Sequence, residues 1–565
     1  MSNPFCAAPG VALRVGYCGQ TTARILVASL RGGTVAATCS GGTVTVPALV
    51  GHGDDNPAHP GLYVCATGVV EIAGLSPFTQ YSYSITVDGI TRSGSFRTLP
   101  ADSATDYGFL MWTCEHRSAG SQWQRGSVYQ HVREVIESSD VPILFAAHID
   151  DLFYPDIFKF FGVDQTDPTT GLYITAGSGQ QGACATGLQW DYAVSWCAWL
   201  GLLPSVPEMA EPHRQWVREN LPLWAMWGDH EIEGDHCSVV YDGLGANSVS
   251  RGCNRSAYNN GEPNMADLES RAEAMYEAFC VSACAPPRLA VDGGPANQPG
   301  AQYWGAAIGP VRFFCMDRNK YSEPYNACDA GDSHSYGRGN FAGVCSGATL
   351  PTRSELGYAT DTQPAHMLGA QQLDDMLNWL DADEPFKAVF GPTGISRHNQ
   401  PWSDMWPQEF DDYIGRAGVG LLKNSKTNGA TGYSCHLKGD THGMSAVSYH
   451  ADGTAGGLGG TGTSSGELWE ICPGTINGST IGGSLFGGTI HAGGKLRYVK
   501  CGKTQGDRTI SAMLVGRVYA SRAPQEFQID LVQLPNKTVL WSGYQQVGQG
   551  GNHFQYRAER RGRIG

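Results

Sequence analysis

The sequence feature that most constrains the fold is a set of apolar runs that each stop abruptly at metal-ligand or catalytic side chains. The clearest is Leu223–Asp235, LWAMWGDHEIEGD, in which a run containing Trp224, Met226 and Trp227 ends at Gly-Asp-His-Glu. A buried strand that stops at a glycine and then presents such side chains brings them to the edge of a sheet. One run of this kind is a weak signal, so its recurrence along the chain carries the argument.

The pattern recurs between residues 101 and 500. The apolar runs that we predict as strands are Tyr107–Thr113 before Cys114, Pro142–Ala147 before His148-Ile149-Asp150-Asp151, Val311–Met316 before Asp317-Arg318, Phe386–Phe390 before a loop with His398, and Tyr433–Lys438 before Gly439-Asp440-Thr441-His442. Helices are predicted ahead of three of the strands in this stretch, at Gly126–Glu137, Glu208–Asn220 and Leu368–Leu380. Helix-then-strand repetition is typical of a layered α/β domain whose strand ends form one common rim.

The two ends of the chain have a different pattern. Short alternating runs such as Ala23–Ser29 and Ser82–Val87, separated by Gly, Asn and Pro, predict an all-β module. The segment Gly74–Gly89 followed by Ser93–Pro100 is similar to the last strands of a fibronectin-III-like sandwich; any other β-sandwich is the alternative. Because 565 residues suffice for two or three domains, we predict domains at 1–100 and 101–500, with a β-rich segment at 501–565 that closes or caps the second.

Composition excludes some function classes. The formal net charge of −15 argues against a nucleic-acid binder and is compatible with cation sites. No window of 18 or more uninterrupted apolar residues predicts a transmembrane helix. The first residues lack the basic and apolar regions of a signal peptide.

The cysteine content points to an oxidising compartment. Seventeen cysteines in a non-repetitive chain favour disulfides over buried thiols, and Cys280/Cys284 and Cys184/Cys197 are close enough in sequence to form local bridges. We therefore expect an extracellular, periplasmic or virion-surface location.

Together, the strand ends offer a set of side chains suited to metal binding: Cys114, Asp151, Tyr154, Asp229, His230, His398, Asp440 and His442. Such groups can hold two adjacent cations that clamp a phosphate and lower the pKa of a bound water. Thiolate and phenolate suit a trivalent metal such as Fe(III), whereas carboxylate oxygens suit a harder cation such as Ca²⁺ or Mg²⁺.

The order of these motifs resembles the PhoD-type alkaline phosphatases and phosphodiesterases of the metallophosphoesterase superfamily. Cys114 follows the first strand, where most superfamily members have Asp. HIDDLFY at His148–Tyr154, WGDHE at Trp227–Glu231 and GDTH at Gly439–His442 stand where the family has similar runs. The resemblance implies a four-layer α/β/β/α metallophosphoesterase sandwich behind an all-β fibronectin-III/Ig-like domain.

The resemblance also implies residue roles. Cys114, Asp151, Tyr154 and His442 would surround Fe(III), and Asp229 and Asp440 would hold the second metal, Ca²⁺, with Asp151 bridging; Zn, Mn or Mg are the alternatives. His230 would stabilise transition-state charge or protonate the leaving oxygen. His398 and Arg318 are candidate substrate contacts, and Asp317 with Arg318 is alternatively a structural pair.

Some features depart from the family pattern. Asp150 stands where the family has Gly before the bridging Asp151, and Gly228 stands where it has the first Asp of its Trp-Asp-Asp-His-Glu run. Each proposed ligand also has a structural alternative: Cys114 as a half-cystine and Tyr154 as a core aromatic.

The function predicted from these motifs is a phosphoric ester hydrolase, a phosphodiesterase or alkaline phosphatase, that uses a binuclear metal centre and metal-bound water or hydroxide. Its substrate would be a phosphate-ester small molecule or a phospholipid-like molecule. The alternative from another class is a structural or adhesive protein of a surface or virion that reuses the PhoD-like fold.

Overall fold

The protein was analysed as a computed structural model. It describes residues 10–55, 60–115, 128–150, 152, 165–166, 173–174, 189–203, 211–228, 231, 265–284, 302–317, 368–380, 383–392, 433–439, 444–450, 467–474, 476, 494–500, 511–534, 536–547 and 555–556.

The front of the chain is a two-sheet antiparallel β-sandwich. Its strands are β1 (Val11–Cys18), β2 (Thr22–Ser29), β3 (Val35–Cys39), β4 (Thr43–Thr45), β5 (Val50–His52), β6 (Cys65–Ala73), β7 (Gln80–Val87) and β8 (Ile90–Arg97). One sheet has the order β1-β2-β6-β4 with β5 also on β6, and the other has the order β3-β7-β8. The two sheets enclose a separate apolar core with Val15, Ile25, Ile72, Ile85 and Phe96. The predicted β-sandwich is therefore present, and its fibronectin-III attribution stays a prediction.

The remaining strands form two mixed seven-stranded sheets and one small pair. They are β9 (Tyr107–Thr113), β10 (Ile143–Ile149), β11 (Gln165–Thr166), β12 (Tyr173–Ile174), β13 (Leu223–Met226), β14 (Trp304–Ile308), β15 (Val311–Cys315), β16 (Phe386–Gly391), β17 (Tyr433–Lys438), β18 (Met444–His450), β19 (Glu467–Cys472), β20 (Gly494–Lys500), β21 (Ser511–Tyr519), β22 (Glu526–Leu534), β23 (Thr538–Gln546) and β24 (Gln555–Tyr556). The first sheet has the order β13-β10-β9-β21-β22-β23-β24, and the second β14-β15-β16-β17-β19-β18-β20. The last strands of the chain thus extend the sheet of β9, since β21 pairs with β9 antiparallel.

An aromatic layer joins the two sheets face to face. The rings of Phe109 and Phe145 in the first sheet meet Phe313 edge-on, each at 5.4 Å between centroids. Farther along, Trp469 of the second sheet lies 5.6 Å from Trp541 of the first. Continuous apolar strands are expected where both faces of a sheet are covered, and β9, β10 and β13 are buried at every position.

The helices lie outside this sandwich. They are α1 (Val128–Ser138), α2 (Gln189–Trp199), α3 (Pro212–Asn220), α4 (Met265–Tyr276), which continues as a π-helical segment (Glu277–Val281) and a short α5 (Ser282–Cys284), and α6 (Gly369–Leu380). The predicted helix at Glu208–Asn220 starts later than expected, because Pro212 occupies the first turn and the Glu211 carboxylate accepts from the N–H groups of His213 and Arg214. Two facing mixed sheets with flanking helices agree with the expected α/β sandwich in outline, although the described chain is richer in strands.

The front sandwich docks tightly onto the helices beside β13. A Cβ on Gly16 would lie 2.1 Å from the carbonyl oxygen of Ala283, and one on Gly94 would lie 2.0 Å from that of Glu219. Glycine at these two positions therefore lets β1 and β8 contact the backbone of α5 and α3 directly. Arg92 adds an ion pair to the carboxylate of Glu219.

The surroundings of Arg14 in β1 show that the disulfide predicted between Cys280 and Cys284 is absent. The Arg14 guanidinium donates to the Cys284 sulfur at 2.8 Å, and it also donates to the Phe279 carbonyl. Cys280 and Cys284 are thiols rather than the predicted local disulfide, as are the other cysteines in the described ranges. Burial raises the pKa of Cys284, but the hydrogen bond from Cys280 and the charge of Arg14 outweigh burial and bring it to about 6. A sulfur engaged by a buried guanidinium is thus stabilised without a bridge. Cys184, of the other predicted pair, lies outside the described residues.

None of the helices in the described ranges is long and apolar enough to cross a membrane.

Candidate functional site

The carboxyl ends of three strands of the first sheet lie side by side. β10 runs parallel to both β9 and β13, so the residues that follow the three strands meet at one edge. The Cys114 N–H donates to the Asp150 carbonyl at 3.1 Å, and the Asp150 N–H donates to the Met226 carbonyl at 2.8 Å. These bonds continue the ladder one residue beyond the strands and fix Cys114 beside Asp150.

The second sheet ends in the same way. β15, β16, β17 and β19 are successively parallel. The Met316 N–H donates to the Phe390 carbonyl at 3.0 Å, and the Gly439 N–H donates to the Gly391 carbonyl at 2.9 Å. Gly439 is the residue directly before Asp440 in the sequence.

The two edges meet. A Cβ on Gly439 would lie 2.4 Å from the Asp150 Cβ and 3.1 Å from the Ile149 carbonyl oxygen, so the two chain segments are in van der Waals contact. At a second point, the Ile476 N–H donates to the Thr113 carbonyl at 3.1 Å. The rim expected from the sequence is therefore built from both sheets, and we call these strand ends the rim.

A third link between the sheets involves a tryptophan. The Trp227 indole N–H donates to the Asp317 carboxylate at 3.1 Å, and the Trp227 ring stacks on Tyr276 at 4.5 Å between centroids. Asp317 is itself held by Gln372, whose side chain bonds its backbone N–H and carbonyl. Asp317 therefore anchors the end of β13, a different contact from the predicted pair with Arg318, which lies outside the described residues.

Two of the strand ends use a left-handed backbone without glycine. Cys114 has φ of 50° and Asp150 has φ of 66°. This conformation costs an L-residue about 1–2 kcal/mol, less for Asp, and such residues cluster at functional sites. Asp150 thus adopts a backbone conformation that favours glycine.

The turn after β13 is closed by a carboxylate. The Gly228 N–H donates to Glu231 Oε2 at 2.6 Å, and Glu231 is 1% exposed. In the sequence, Gly228 and Glu231 flank Asp229 and His230, so this bond joins the residues on either side of two candidate site residues.

The residue after Cys114, Glu115, belongs to a buried ion pair. Arg214 of α3 donates to both oxygens of Glu115, at 2.7 and 2.8 Å, and the two side chains are 0% and 1% exposed. Burial raises the pKa of Glu115, but the charge and hydrogen bonds of Arg214 outweigh it, so the pKa lies below the usual value. Glu115 is therefore a carboxylate at neutral pH.

Arg218, one helical turn from Arg214, makes no ion pair with a carboxylate among the described residues. Its guanidinium lies 4.4 Å from the Trp199 ring centroid, and its Nη1 has no hydrogen-bond partner within the same part of the chain. Burial, followed by repulsion from Arg214, holds the pKa of Arg218 well below its ordinary value.

His148 of β10 is a buried histidine that interacts electrostatically with Glu115, Arg214 and Arg218. It is 1% exposed, and its Nε2 has no hydrogen-bond partner among the residues that the structure describes. Burial lowers the pKa of His148 to about 3; the Glu115 charge opposes this effect, and the charges of Arg214, Arg218 and Arg14 add to it. His148 is therefore a neutral imidazole near pH 7.

The second sheet has its own buried ion pair at the rim. Lys438 Nζ lies 2.9 Å from Glu470 Oε1, with the side chains 2% and 0% exposed. Lys438 directly precedes Gly439, so each sheet has a buried ion pair within two residues of a candidate ligand.

Most predicted site residues lie outside the described residues. These are Asp151, Tyr154, Asp229, His230, His398, Asp440, His442 and Arg318. Cys114 is described, is 0% exposed, and has its sulfur 3.2 Å from Thr113 Oγ1. Within the described ranges, no group of three or more His, Cys, Asp or Glu side chains is arranged to hold a metal ion. The ligand set therefore remains a prediction.

Sequence reasoning missed three residues that support the rim. Glu115 and Arg214 are 99 residues apart in sequence, and no pattern links them. Glu231 was noted only as part of a motif. The signal available was the placement of acidic residues next to apolar strand ends, where a buried carboxylate needs a partner.

Comparison with known proteins gives a structural match and no sequence match. No family model matches the chain. No curated protein matches it either. A solved structure titled "Structure of PhoD" superposes with a TM-score of 0.55 at 13% identity, covering 97% of this chain and 92% of that one. At this identity the match shows a shared fold over nearly the whole chain.

Proposed function

We propose that the protein is a metal-dependent phosphoric ester hydrolase, a phosphodiesterase or alkaline phosphatase, whose site is the rim. The carrying observation is that the strand ends of both sheets meet within van der Waals contact between Gly439 and Asp150. The next residue along the chain from each is a carboxylate, Asp440 and Asp151. The PhoD-like fold supports the reaction class.

The residues that would hold two metals are of suitable chemistry. Cys114, Asp151, Tyr154 and His442 would take a trivalent ion, and Asp229 and Asp440 a second, harder cation. Fe(III) and Ca(II) are the pair we propose, with Zn, Mn or Mg as alternatives. Of the proposed ligands, Cys114 lies within the described residues. It fits this assignment because its thiol is buried at the point where the two sheets meet.

When bound, the cations would neutralise charge on the phosphoryl oxygens and lower the pKa of the attacking water. The remaining chemistry belongs to the chain. His230 would donate a proton to the leaving oxygen or a hydrogen bond to the developing charge. The bond from Gly228 to Glu231 would restrict the turn that carries it.

The surroundings of the rim favour a small substrate. The side chains of Trp227, Leu152 and Ile476 at these strand ends are at most 2% exposed, so the strand ends hold apolar groups that are shielded from water. The net charge of −15 repels nucleic acid. A phosphate-ester small molecule or a phospholipid-like headgroup is therefore the substrate class that we propose, and the compartment that we propose is extracellular, periplasmic or a virion surface.

Hydrolysis of a chromogenic phosphodiester and of the matching monoester by the metal-loaded protein tests the proposal. Asp440→Asn removes a negative ligand while keeping the size of the side chain, and we expect at least a 100-fold loss of kcat, with thermal unfolding of the metal-free variant equal to that of the metal-free wild type. The matched control is Asp383→Asn, at an exposed position before the amino end of β16, which should keep full activity.

Full turnover by Asp440→Asn would refute the site assignment. A purified protein that binds no metal and hydrolyses neither ester would instead favour a structural or adhesive protein that reuses the fold.

A further inference from the structure

The Glu115–Arg214 ion pair has a geometric relation to Cys114 that a general stabilising pair lacks. Cys114 and Glu115 are consecutive, and Arg214 holds Glu115 through two nearly equal hydrogen bonds of 2.7 and 2.8 Å. We propose that this pair is a positioning pair that fixes the Cys114 thiol for metal binding. The inference rests on the proposed function, since it assigns the pair a role toward the metal of that site.

Cys114 needs support on both sides because its backbone is left-handed, with φ of 50°. On the amino side, Thr113 is held by the Ile476 N–H at 3.1 Å, and its hydroxyl lies 3.2 Å from the Gly474 carbonyl oxygen. Cys114 itself donates to the Asp150 carbonyl. On the carboxyl side, the described support is the bidentate bond of Glu115 to Arg214.

Arg214 is itself fixed, so it can act as an anchor. Its remaining guanidinium nitrogen Nη1 donates to the Trp199 carbonyl at 2.5 Å, and its Cζ lies 5.7 Å from the Tyr129 ring centroid. The Glu211 carboxylate caps the start of α3 at 2.7 Å from the Arg214 N–H. An Arg fork bound to a carboxylate fixes orientation as well as distance.

The pair also connects two candidate ligands. α3 leads through Leu221 into β13, whose end is tied by Trp227 to Asp317. The end of β9, with Cys114, is therefore joined to the helix that precedes Asp229. Such outer groups around a metal typically change its affinity by about 10- to 100-fold when they are mutated.

The chain offers a matched control in Arg218. It lies on the same helix, is 4% exposed against 0% for Arg214, and stacks on Trp199 without holding Glu115. Substitution of either arginine by lysine keeps the charge and removes the fork. Only Arg214→Lys would break the two-bond contact with Glu115 and so remove the support on the carboxyl side of Cys114.

The test is titration of the metal-free full-length protein with Co²⁺ alone, read by the thiolate-to-cobalt charge-transfer absorption. The wild type should show this band, and Cys114→Ser should abolish it. We expect Arg214→Lys and Glu115→Gln to weaken Co²⁺ binding about 10- to 100-fold and to reduce the band at saturation. Arg218→Lys should keep both close to wild type.

The outcomes separate the two proposals. A wild-type protein that binds no Co²⁺, or shows no thiolate band, contradicts Cys114 as a ligand and with it the proposed site. A wild-type band that Arg214→Lys leaves unchanged, or that Arg218→Lys reduces equally, contradicts the positioning role alone. If Arg214→Lys does not fold, the double variant Glu115→Gln/Arg214→Met, which removes both charges, replaces it, and an unchanged band there also overturns the inference.

Discussion

The two sheets end at the rim by opposite means. In the first sheet, β9 and β10 are followed by Cys114 and Asp150, which keep side chains in a left-handed backbone. In the second sheet, β16 ends at Gly391 and β17 is followed by Gly439, and the φ angles of these glycines are not in the left-handed region. Glycine is therefore used there for space and not for conformation.

The difference explains how the rim is formed. A Cβ on Gly439 would meet Asp150 at 2.4 Å, whereas one on Gly391 would meet the flexible Met316 sulfur at 2.6 Å. The first sheet thus retains a thiol and a carboxylate at its edge, and the second omits side chains so that the edges touch. Backbone strain therefore occurs at the edge that keeps its side chains.

The largest expected effect is that of Gly439→Ala. The new methyl would overlap the Asp150 Cβ and approach the Ile149 carbonyl, so we expect a loss of about 3 kcal/mol in the free energy of unfolding and loss of hydrolysis. Urea unfolding and the phosphodiester assay measure the two.

Asp150→Gly provides the internal check. In the Gly439→Ala background it removes the overlapping Cβ, so most of the lost stability should return. Equal losses in the single and double variants would show that the sheets are not in contact at this point. Gly391→Ala should cost less than Gly439→Ala, because the end of a methionine side chain can move.

The next effect concerns His148, beneath the first-sheet edge. Its pKa is about 3 when folded against about 6.5 when unfolded, so the unfolded state binds the extra proton and stability falls as pH decreases from 6.5 towards 3. Between pH 7.5 and pH 5 this group should cost about 2 kcal/mol.

His148→Gln removes that titration. The free energy of unfolding should fall by about 2 kcal/mol less in the variant than in the wild type over the same pH interval. Identical pH dependence in both proteins would mean that the pKa of His148 is the same in the folded and unfolded states.

The smallest effect is expected for Thr113→Val, which keeps the β-branched shape and removes the hydroxyl near the Gly474 carbonyl. Loss of this buried hydrogen bond should cost about 1 kcal/mol. Cobalt affinity should change less than in Arg214→Lys, since the backbone bond from Ile476 remains. A larger loss of affinity in Thr113→Val would shift the main support of Cys114 to its amino side.

The strands of the rim could be predicted from sequence because each is a continuous apolar run with a polar stop. β9 and β17 have the predicted bounds, and β10, β15 and β16 differ by at most two residues. By contrast, α2 was missed because its inner positions, including Trp190, Trp196 and Trp199, are apolar on all sides and give no helical period. β14 was missed because its three middle residues are Gly, Ala and Ala, which give a weak strand pattern in the sequence.

The supporting contacts of the site could not be predicted. Glu115 and Arg214 pair across 99 residues, and the need for glycine at 439 exists only when Asp150 faces it. Such contacts depend on how two sheets pack, which the local sequence does not specify. The candidate ligands, by contrast, are marked locally, because each follows an apolar strand in the sequence.

The central claim is that the edges of both sheets form one metal site. The most direct measurement is the metal content of the purified full-length protein, together with Cys114→Ser from the first sheet and Asp440→Asn from the second. We predict about two metal ions per chain in the wild type, with iron reduced in Cys114→Ser and the second metal reduced in Asp440→Asn. A wild type without bound metal, or variants that retain both ions, would contradict the account.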